Sequence, residues 1–403
     1  MKIGVYLQTW HVGGVAAFCV RLARGIQELG HSPCLIVGTP YGKRDEAGRK
    51  AYEQLVRNSA FPVVCLHLNV FHPKERPWRA ADKISALGCQ ALVLSAHGPM
   101  AEAWSRLKGS MPIVGIAHND DEYSYKEFQV CQQDCDAYVA VSSAIAQTLT
   151  SLNQQKHLSI RHIPYGVPLP AEVPDKMPSG PPRVLAVCRL EQAQKRVLDL
   201  ARIWELYRRS GGTAALTICG SGPEEANLRC AFAADIERGA VNLPGAVSLD
   251  QMPTVYAQHD ILLSVSAYEG LPISVLEAAT HGLWPLLSKI RSGHQEIIEW
   301  LGEGRLCEIG NVDAFAAALL ETTNQIEKVR QVRPEISRKA RARFGIASMV
   351  TAHVQVVTDV LQQRAARISP SASPTPAMDR PKVDFLRRFL RKWQYSRHYG
   401  WQS

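Results

Sequence analysis

The sequence predicts an α/β protein of two doubly wound domains facing a central cleft, followed by a basic amphipathic tail. Three observations carry that expectation. Short apolar runs alternate with helical stretches through residues 1–165 and again through 183–345, the pattern of parallel sheets covered on both faces. Between the two lies PYGVPLPAEVPDKMPSGPPR, with seven prolines in twenty residues, and its core, 166–182, reads as an interdomain linker. The chain has 403 residues, 46% hydrophobic and 21% charged, enough for two globular cores.

Each element follows in order. KIGVYLQ reads as a strand, the amphipathic AAFCVRLARGIQELG as a helix and SPCLIVGT as the next strand. FPVVCLHL, QALVLSAH, MPIVGIAH and DAYVAVS continue the sheet, the last running into helix SAIAQTLTSL. The second Rossmann-like domain repeats the plan. RVLAVCRL, a helix through DLARIWELYRRSG, TAALTICGSG, a helix PEEANLRCAFAADIER, GAVNLPGAV and DILLSVS succeed one another. A helix over 346–368 closes the globular part, SPSASPTPAM in 369–379 is a spacer by composition, and 380–403 forms the tail.

Composition narrows the function classes. The N-terminus lacks the apolar h-region of a secretory leader, and no apolar run approaches the roughly 20 residues that span a bilayer. The expected location is cytoplasmic. Cys19, Cys34, Cys65, Cys188 and Cys219 lie in apolar segments and read as small buried hydrophobes. Cys131 and Cys135 form a close pair, but no second Cys or His pair stands near to complete a tetrahedral metal site. The net charge is +9, and Asp379–Ser403 supplies +5 of it from seven basic residues and two acids. The body is only mildly basic, so no nucleic-acid partner is expected.

The polar groups that could carry chemistry fall where strands should stop. Gly13 and Gly14 follow the first strand, Arg189 and Lys195 follow RVLAVC, and Gly220 and Gly222 follow TAALTIC. In AYEGLPISVLEAATHGLWP, Glu269 and Glu277 are separated by Gly270-Leu271-Pro272. Proline suits the first turn of a helix, where its missing N–H has no intrahelical partner. Glu269 therefore belongs to a loop and Glu277 to the second turn of a helix, with a helix N-terminus between them. Such a terminus carries roughly half a positive charge, and arginine grips phosphate oxygens in pairs. Together these groups make a pocket for a diphosphate. Surface ion pairing of Arg189 and Lys195, and a solvated Glu277, are the plain alternatives, but Glu277 is the sole charge in VLEAATHG, and a carboxylate there needs partners.

Over residues 1 to 360 the chain resembles the GT-B retaining glycosyltransferases of family 4, whose signature is Glu-x7-Glu. The matching segments are VGGVAAFCVRLARGIQELGH, AHND, DAYVAVSSAIAQTL, IPYGV, RVLAVCRLEQAQKR, ICGSGPE, LPGAV and DILLSVSAYEGLPISVLEAATHGLWPLLSKIRSGHQEII. The resemblance implies that Glu269 binds donor-sugar hydroxyls and Glu277 the ribose diol. Arg189 and Lys195 would hold the diphosphate with backbone N–H groups of Gly14, Gly270, Leu271 and Ile273, and Ala246 and Val247 would line the base pocket. His118, in AHND, matches the family's histidine near the sugar; His97, at another strand end, is its rival. Lys195 stands one residue further from Arg189 than is common, which makes Arg196 a second candidate for the phosphate. Cys188 and Trp284 replace a usual glycine and proline. Asp134-Cys135-Asp136 fits the Asp-x-Asp motif with which a different transferase fold holds a metal, but Asp136 runs straight into a strand and reads as structural. No metal or other cofactor is expected, because Arg189, Lys195 and the helix start already neutralise a leaving diphosphate.

The implied reaction transfers a sugar from a UDP- or GDP-sugar to a saccharide or lipid-linked acceptor with retention, in cell-envelope polysaccharide or glycolipid synthesis. An epimerase or hydrolase of the same architecture, or a non-catalytic sugar-nucleotide-binding subunit, are the alternatives. In the tail, Leu386, Phe389, Leu390 and Trp393 recur at helical spacing among Arg387, Arg388, Arg391 and Lys392, an interfacial amphipathic pattern. It is expected to attach the protein peripherally to an anionic membrane at the cytoplasmic face; docking on an acidic partner or on the first domain is the alternative.

Overall fold

The structure, a computed structural model, describes residues 1–10, 13–40, 46–95, 100–155, 157–171 and 180–368. The tail and His97 lie outside these residues. Seven strands form the first sheet: β1 (Lys2–Thr9), β2 (Ser32–Thr39), β3 (Val63–Cys65), β4 (Ala91–Leu94), β5 (Ile113–Ala117), β6 (Ala137–Ala140) and β7 (Ser159–His162). Their spatial order is β3-β2-β1-β4-β5-β6-β7, all parallel. The second sheet has β8 (Arg183–Val187), β9 (Ala215–Cys219), β10 (Val241–Gly245), β11 (Ile261–Ser264), β12 (Trp284–Ser288) and β13 (Arg305–Cys307) in the order β10-β9-β8-β11-β12-β13. These are the two doubly wound domains. In each sheet the strand order reverses beside the first strand, at β1/β4 and at β8/β11, and such switch points are where open α/β sheets bind ligands.

Local chemistry accounts for the elements. β4, β5 and β6 are buried at every residue, as strands covered on both faces must be, and their sequences are accordingly unbroken apolar runs. Pro244 sits in β10, an edge strand, where a missing N–H costs no ladder bond. The predicted strand FPVVCLHL is shorter than expected: after Cys65 the chain turns through His67, φ 51°, into a 3₁₀ turn over Leu68–Val70. The predicted helix PEEANLRCAFAADIER is broken at Phe232 into Glu225–Ala231 and Ala233–Glu237.

The domains are joined by more than the linker. One apolar core runs from the first sheet through Leu271, Val275 and Leu276 to the cleft-side face of the second; a separate core fills the far face. Helix Ile346–Ile368 crosses back onto the first domain. There Val350 packs on helix Gly14–Glu28 at Gly25, where a Cβ would lie 2.4 Å from its side chain. Arg364 grips Asp136 through both carboxylate oxygens, at 3.0 and 2.8 Å. Asp136 also accepts from the N–H of Ile113, and Asp134 from the hydroxyl of Ser105. Both aspartates of the Asp-x-Asp segment are thus engaged in holding the fold.

Candidate active site at the interdomain cleft

The floor of the cleft is backbone against backbone. The loop after β5 lies on the loop after β11 so closely that a Cβ on Gly270 would stand 1.7 Å from the carbonyl oxygen of His118. The N–H of Asp120 donates to the carbonyl of Glu269 at 3.3 Å, and Arg291 reaches across to the Asp120 carboxylate at 2.7 and 3.2 Å. Below, the Ser292 hydroxyl donates to the Gly270 carbonyl and pairs with the Ser142 hydroxyl, each at 2.7 Å. The glycine between the two glutamates is required by this approach.

On this floor stand the acids and cations. Glu269 is 6% exposed and accepts from Lys195 Nζ at 2.5 Å. Lys195 is positioned by Gln194, whose carbonyl accepts from Ala267 N–H and whose amide donates to the Tyr268 carbonyl. Arg189, 61% exposed, donates to the Gln194 side chain at 2.7 Å and lies 3.5 Å from Glu191. Arg196 points elsewhere. At φ 50° it turns its guanidinium to Asp199, 2.8 Å away, and against Gly310. Of the two cations considered for the phosphate, Lys195 is the one at Glu269.

Helix Ile273–Thr280 begins at Pro272 and carries Glu277 in its second turn. Gly14, at the start of helix Gly14–Glu28, faces it: a Cβ there would touch Ile273 at 3.4 Å. Two helix N-termini from opposite domains therefore face each other, and an α-helix leaves its opening N–H groups without intrahelical acceptors, although Val275 N–H already donates to the Pro272 carbonyl at 3.0 Å. Gly13 is extended, with nothing within 4 Å of an added Cβ. Gly220 and Gly222 serve the neighbouring loop, since Cβ atoms there would lie 1.8 Å from the Cys188 carbonyl oxygen and 2.3 Å from that of Leu190. These glycines let the β9 turn support the backbone that carries Arg189. After Gly245, φ 81°, Ala246 is exposed and Val247 half-buried.

His118, 9% exposed, ends β5. Its Nδ1 shares a hydrogen bond with the Tyr165 hydroxyl, its ring stacks on Tyr165 and Phe18 meets its edge at 5.3 Å. Burial, reinforced by Cys19 and Glu269, pushes the Tyr165 phenol well up, so it keeps its proton. Beneath Glu269, His294 is fully buried between the Ser288 carbonyl, 2.9 Å, and the Ser264 hydroxyl, 3.4 Å. Burial takes its pKa down to about 4, against the pull of Glu269; at neutral pH the ring is uncharged.

Sequence reasoning missed Tyr165, His294, Tyr256 and Arg21. Glu277 accepts from Tyr256 at 2.9 Å and from Arg21, on a helix of the first domain, at 2.5 Å. Arg21 was within reach of pattern alone, because it stands seven residues after Gly14 and so on the same helix face. Tyr256, in the short helix Met252–Ala257, carries no such mark.

Residues 12–169 match the family model described as Glycosyltransferase Family 4, and residues 181–325 that described as Glycosyl transferases group 1. The two-domain fold is GT-B, and one glycosyltransferase family model matches on each domain. Among curated relatives, the amylovoran biosynthesis glycosyltransferase AmsK of Erwinia amylovora is 34% identical over 147 residues, 35% of each chain. The lipopolysaccharide 1,6-galactosyltransferase of Salmonella typhimurium is 28% identical over 204 residues, 48% of this chain and 54% of that one. The chain thus spans about a third to a half of the length of the curated relatives it matches. The pneumococcal O-GlcNAc transferase GtfA, solved with UDP and GlcNAc, superposes with a TM-score of 0.74 at 14% identity, over 90% of this chain and 99% of that one; the likeness is one of fold.

Proposed function

We propose that the protein is a retaining glycosyltransferase, moving a sugar from a nucleotide-diphosphate-sugar donor to a saccharide or lipid-linked acceptor in cell-envelope polysaccharide or glycolipid synthesis. The observation that carries the reading is the convergence of the helix starts at Gly14 and Ile273 between Glu269 and Glu277. Helix starts attract a diphosphate, and the two carboxylates lie on either side, where exchange of their present partners would let them accept from hydroxyl groups at its two ends. Glu269 takes the sugar and Glu277 the ribose. Lys195 and Arg189 move onto the diphosphate as it arrives, and the N–H groups of Gly14, Gly270, Leu271 and Ile273 complete its cradle, with Ala246 and Val247 beside the base. His118, held by Tyr165, orients the sugar while the departing phosphate oxygen takes the acceptor's proton. Lys195, Arg189 and the helix starts supply the charge stabilisation that a metal gives elsewhere.

The names of the amylovoran and lipopolysaccharide relatives support an envelope acceptor. The tail, 380–403, would hold the enzyme to an anionic membrane near such an acceptor, each basic residue contributing about 1 kcal/mol; vesicle co-sedimentation with and without 380–403 tests that. The decisive experiment measures acceptor-dependent release of nucleoside diphosphate from UDP- and GDP-sugars without added metal, with the product anomer read by NMR. Release without acceptor dependence, or an inverted anomer, overturns the proposal.

A further inference from the structure

The geometry points to a self-occluded donor site, in which Arg21 holds the carboxylate of Glu277 and the donor's ribose must displace it. This rests on reading Glu277 as the ribose ligand. A vicinal diol donates two hydrogen bonds, and one carboxylate can accept both. Here both oxygens of Glu277 are already engaged, Oε1 by Arg21 Nη2 at 2.5 Å and Oε2 by the Tyr256 hydroxyl at 2.9 Å. Tyr256 comes from Glu277's own domain and can stay in place when a ligand enters. Arg21 comes from the facing domain and occupies the cleft side of the carboxylate.

Two further features make Arg21 a displaceable competitor. Its side chain is 11% exposed, and Nη1 is buried with no hydrogen-bond partner among the described residues. A guanidinium offers five donors, so this one leaves bonding capacity unused and holds Glu277 less firmly than a fully partnered one would. Its place along the helix is also wrong for a phosphate ligand. Arg21 lies seven residues beyond Gly14, roughly 10 Å from the helix start at 1.5 Å per residue, so the cation is stationed at the nucleoside end of the cleft. Removing it therefore removes a rival of the ribose without removing a partner of the diphosphate.

Calorimetric titration of the full chain and of Arg21→Met with UDP and with GDP tests this; methionine keeps the apolar stem and drops the charge. The nucleotide that binds wild type is expected to bind Arg21→Met roughly 3- to 10-fold more tightly, the range of a partly exposed ion pair. The gain should vanish for the 2′,3′-dideoxy nucleotide, which has no diol to offer Glu277. A folded Arg21→Met that binds as wild type does, or more weakly, overturns the proposal, as does a gain that persists with the dideoxy nucleotide. Arg21→Lys, which keeps the charge on a single ammonium, should fall between and serves if methionine is not tolerated. Were neither nucleotide to bind wild type, binding gained in Arg21→Met would still meet the expectation, whereas binding to neither protein would overturn the donor reading and the occlusion with it.

Discussion

Glu269 and Glu277 stand eight residues apart, yet their surroundings are built on opposite plans. Glu269 takes its partner, Lys195, from its own domain, over buried His294, and among the described residues meets the other domain through main-chain contacts at His118 and Asp120. Glu277 takes a side chain, Arg21, from across the cleft. The Glu269 side chain is thus held from inside its own domain, while the surroundings of Glu277 are completed only when the two domains come together. Under the proposed donor reading, such a site holds its Glu269 end rigidly and leaves its Glu277 end dependent on domain position.

The contrast can be broken at its hinge first. Gly270→Ala should drive a methyl into the His118 carbonyl and push the two loops apart, costing at least about 100-fold in turnover, the scale expected for a displacement near 1 Å, with a lowered melting temperature. Steady-state kinetics beside a thermal melt checks both. Next, the two carboxylates should separate by parameter. Glu269→Gln is expected to lower kcat about 100-fold with donor affinity little changed, whereas Glu277→Gln should weaken donor binding about 10-fold, the loss of a charged hydrogen bond, and leave kcat largely intact. Equal effects on both parameters would erase the distinction drawn above.

Support beneath Glu269 is testable by pH. The folded pKa of His294 lies near 4 against about 6.5 when unfolded. Between those values the unfolded chain binds a proton that the buried ring refuses, so stability is held above about pH 6.5 and falls as pH drops towards 4. From pH 7.5 to 5 His294 should account for about 2 kcal/mol of that loss, and denaturant titrations of His294→Asn should show a correspondingly flatter profile. His353, also near 4 through burial, should leave a second such slope in the variant. Smaller still, Arg364→Ala should cost about 1 kcal/mol by detaching the closing helix from Asp136, without altering donor affinity. Gly13→Ala should change stability by less than about 0.5 kcal/mol, since among the described residues nothing lies within 4 Å of the added Cβ; a loss of donor affinity at unchanged stability would mean that a ligand approaches Gly13 itself.

Much of this molecule was legible in its sequence. Alternating apolar runs marked out β1–β6 and β8–β11, because strands buried on two faces admit little else, whereas β7, β12 and β13 were not read as strands; Gly270-Leu271-Pro272 announced a helix start because glycine and proline act through local backbone geometry. Other features needed context. Gly220 and Gly222 read as donor-binding glycines from their place after a strand, and the packing of the 188–190 backbone against them is a second role that the sequence did not show. Helix Ile346–Ile368 could be read as a helix, while nothing in its own residues says that it returns to the first domain.

Local order is what the sequence determined by itself: the element types, the two-domain plan, and the loop and helix positions of Glu269 and Glu277. Tertiary structure alone decided which charges meet. Arg21 and Glu277 are 256 residues apart, and His118 and Tyr165 meet through the packing of a strand end against a connecting segment. Periodicity and turn chemistry act over a few residues, whereas these pairings depend on how two completed sheets face each other.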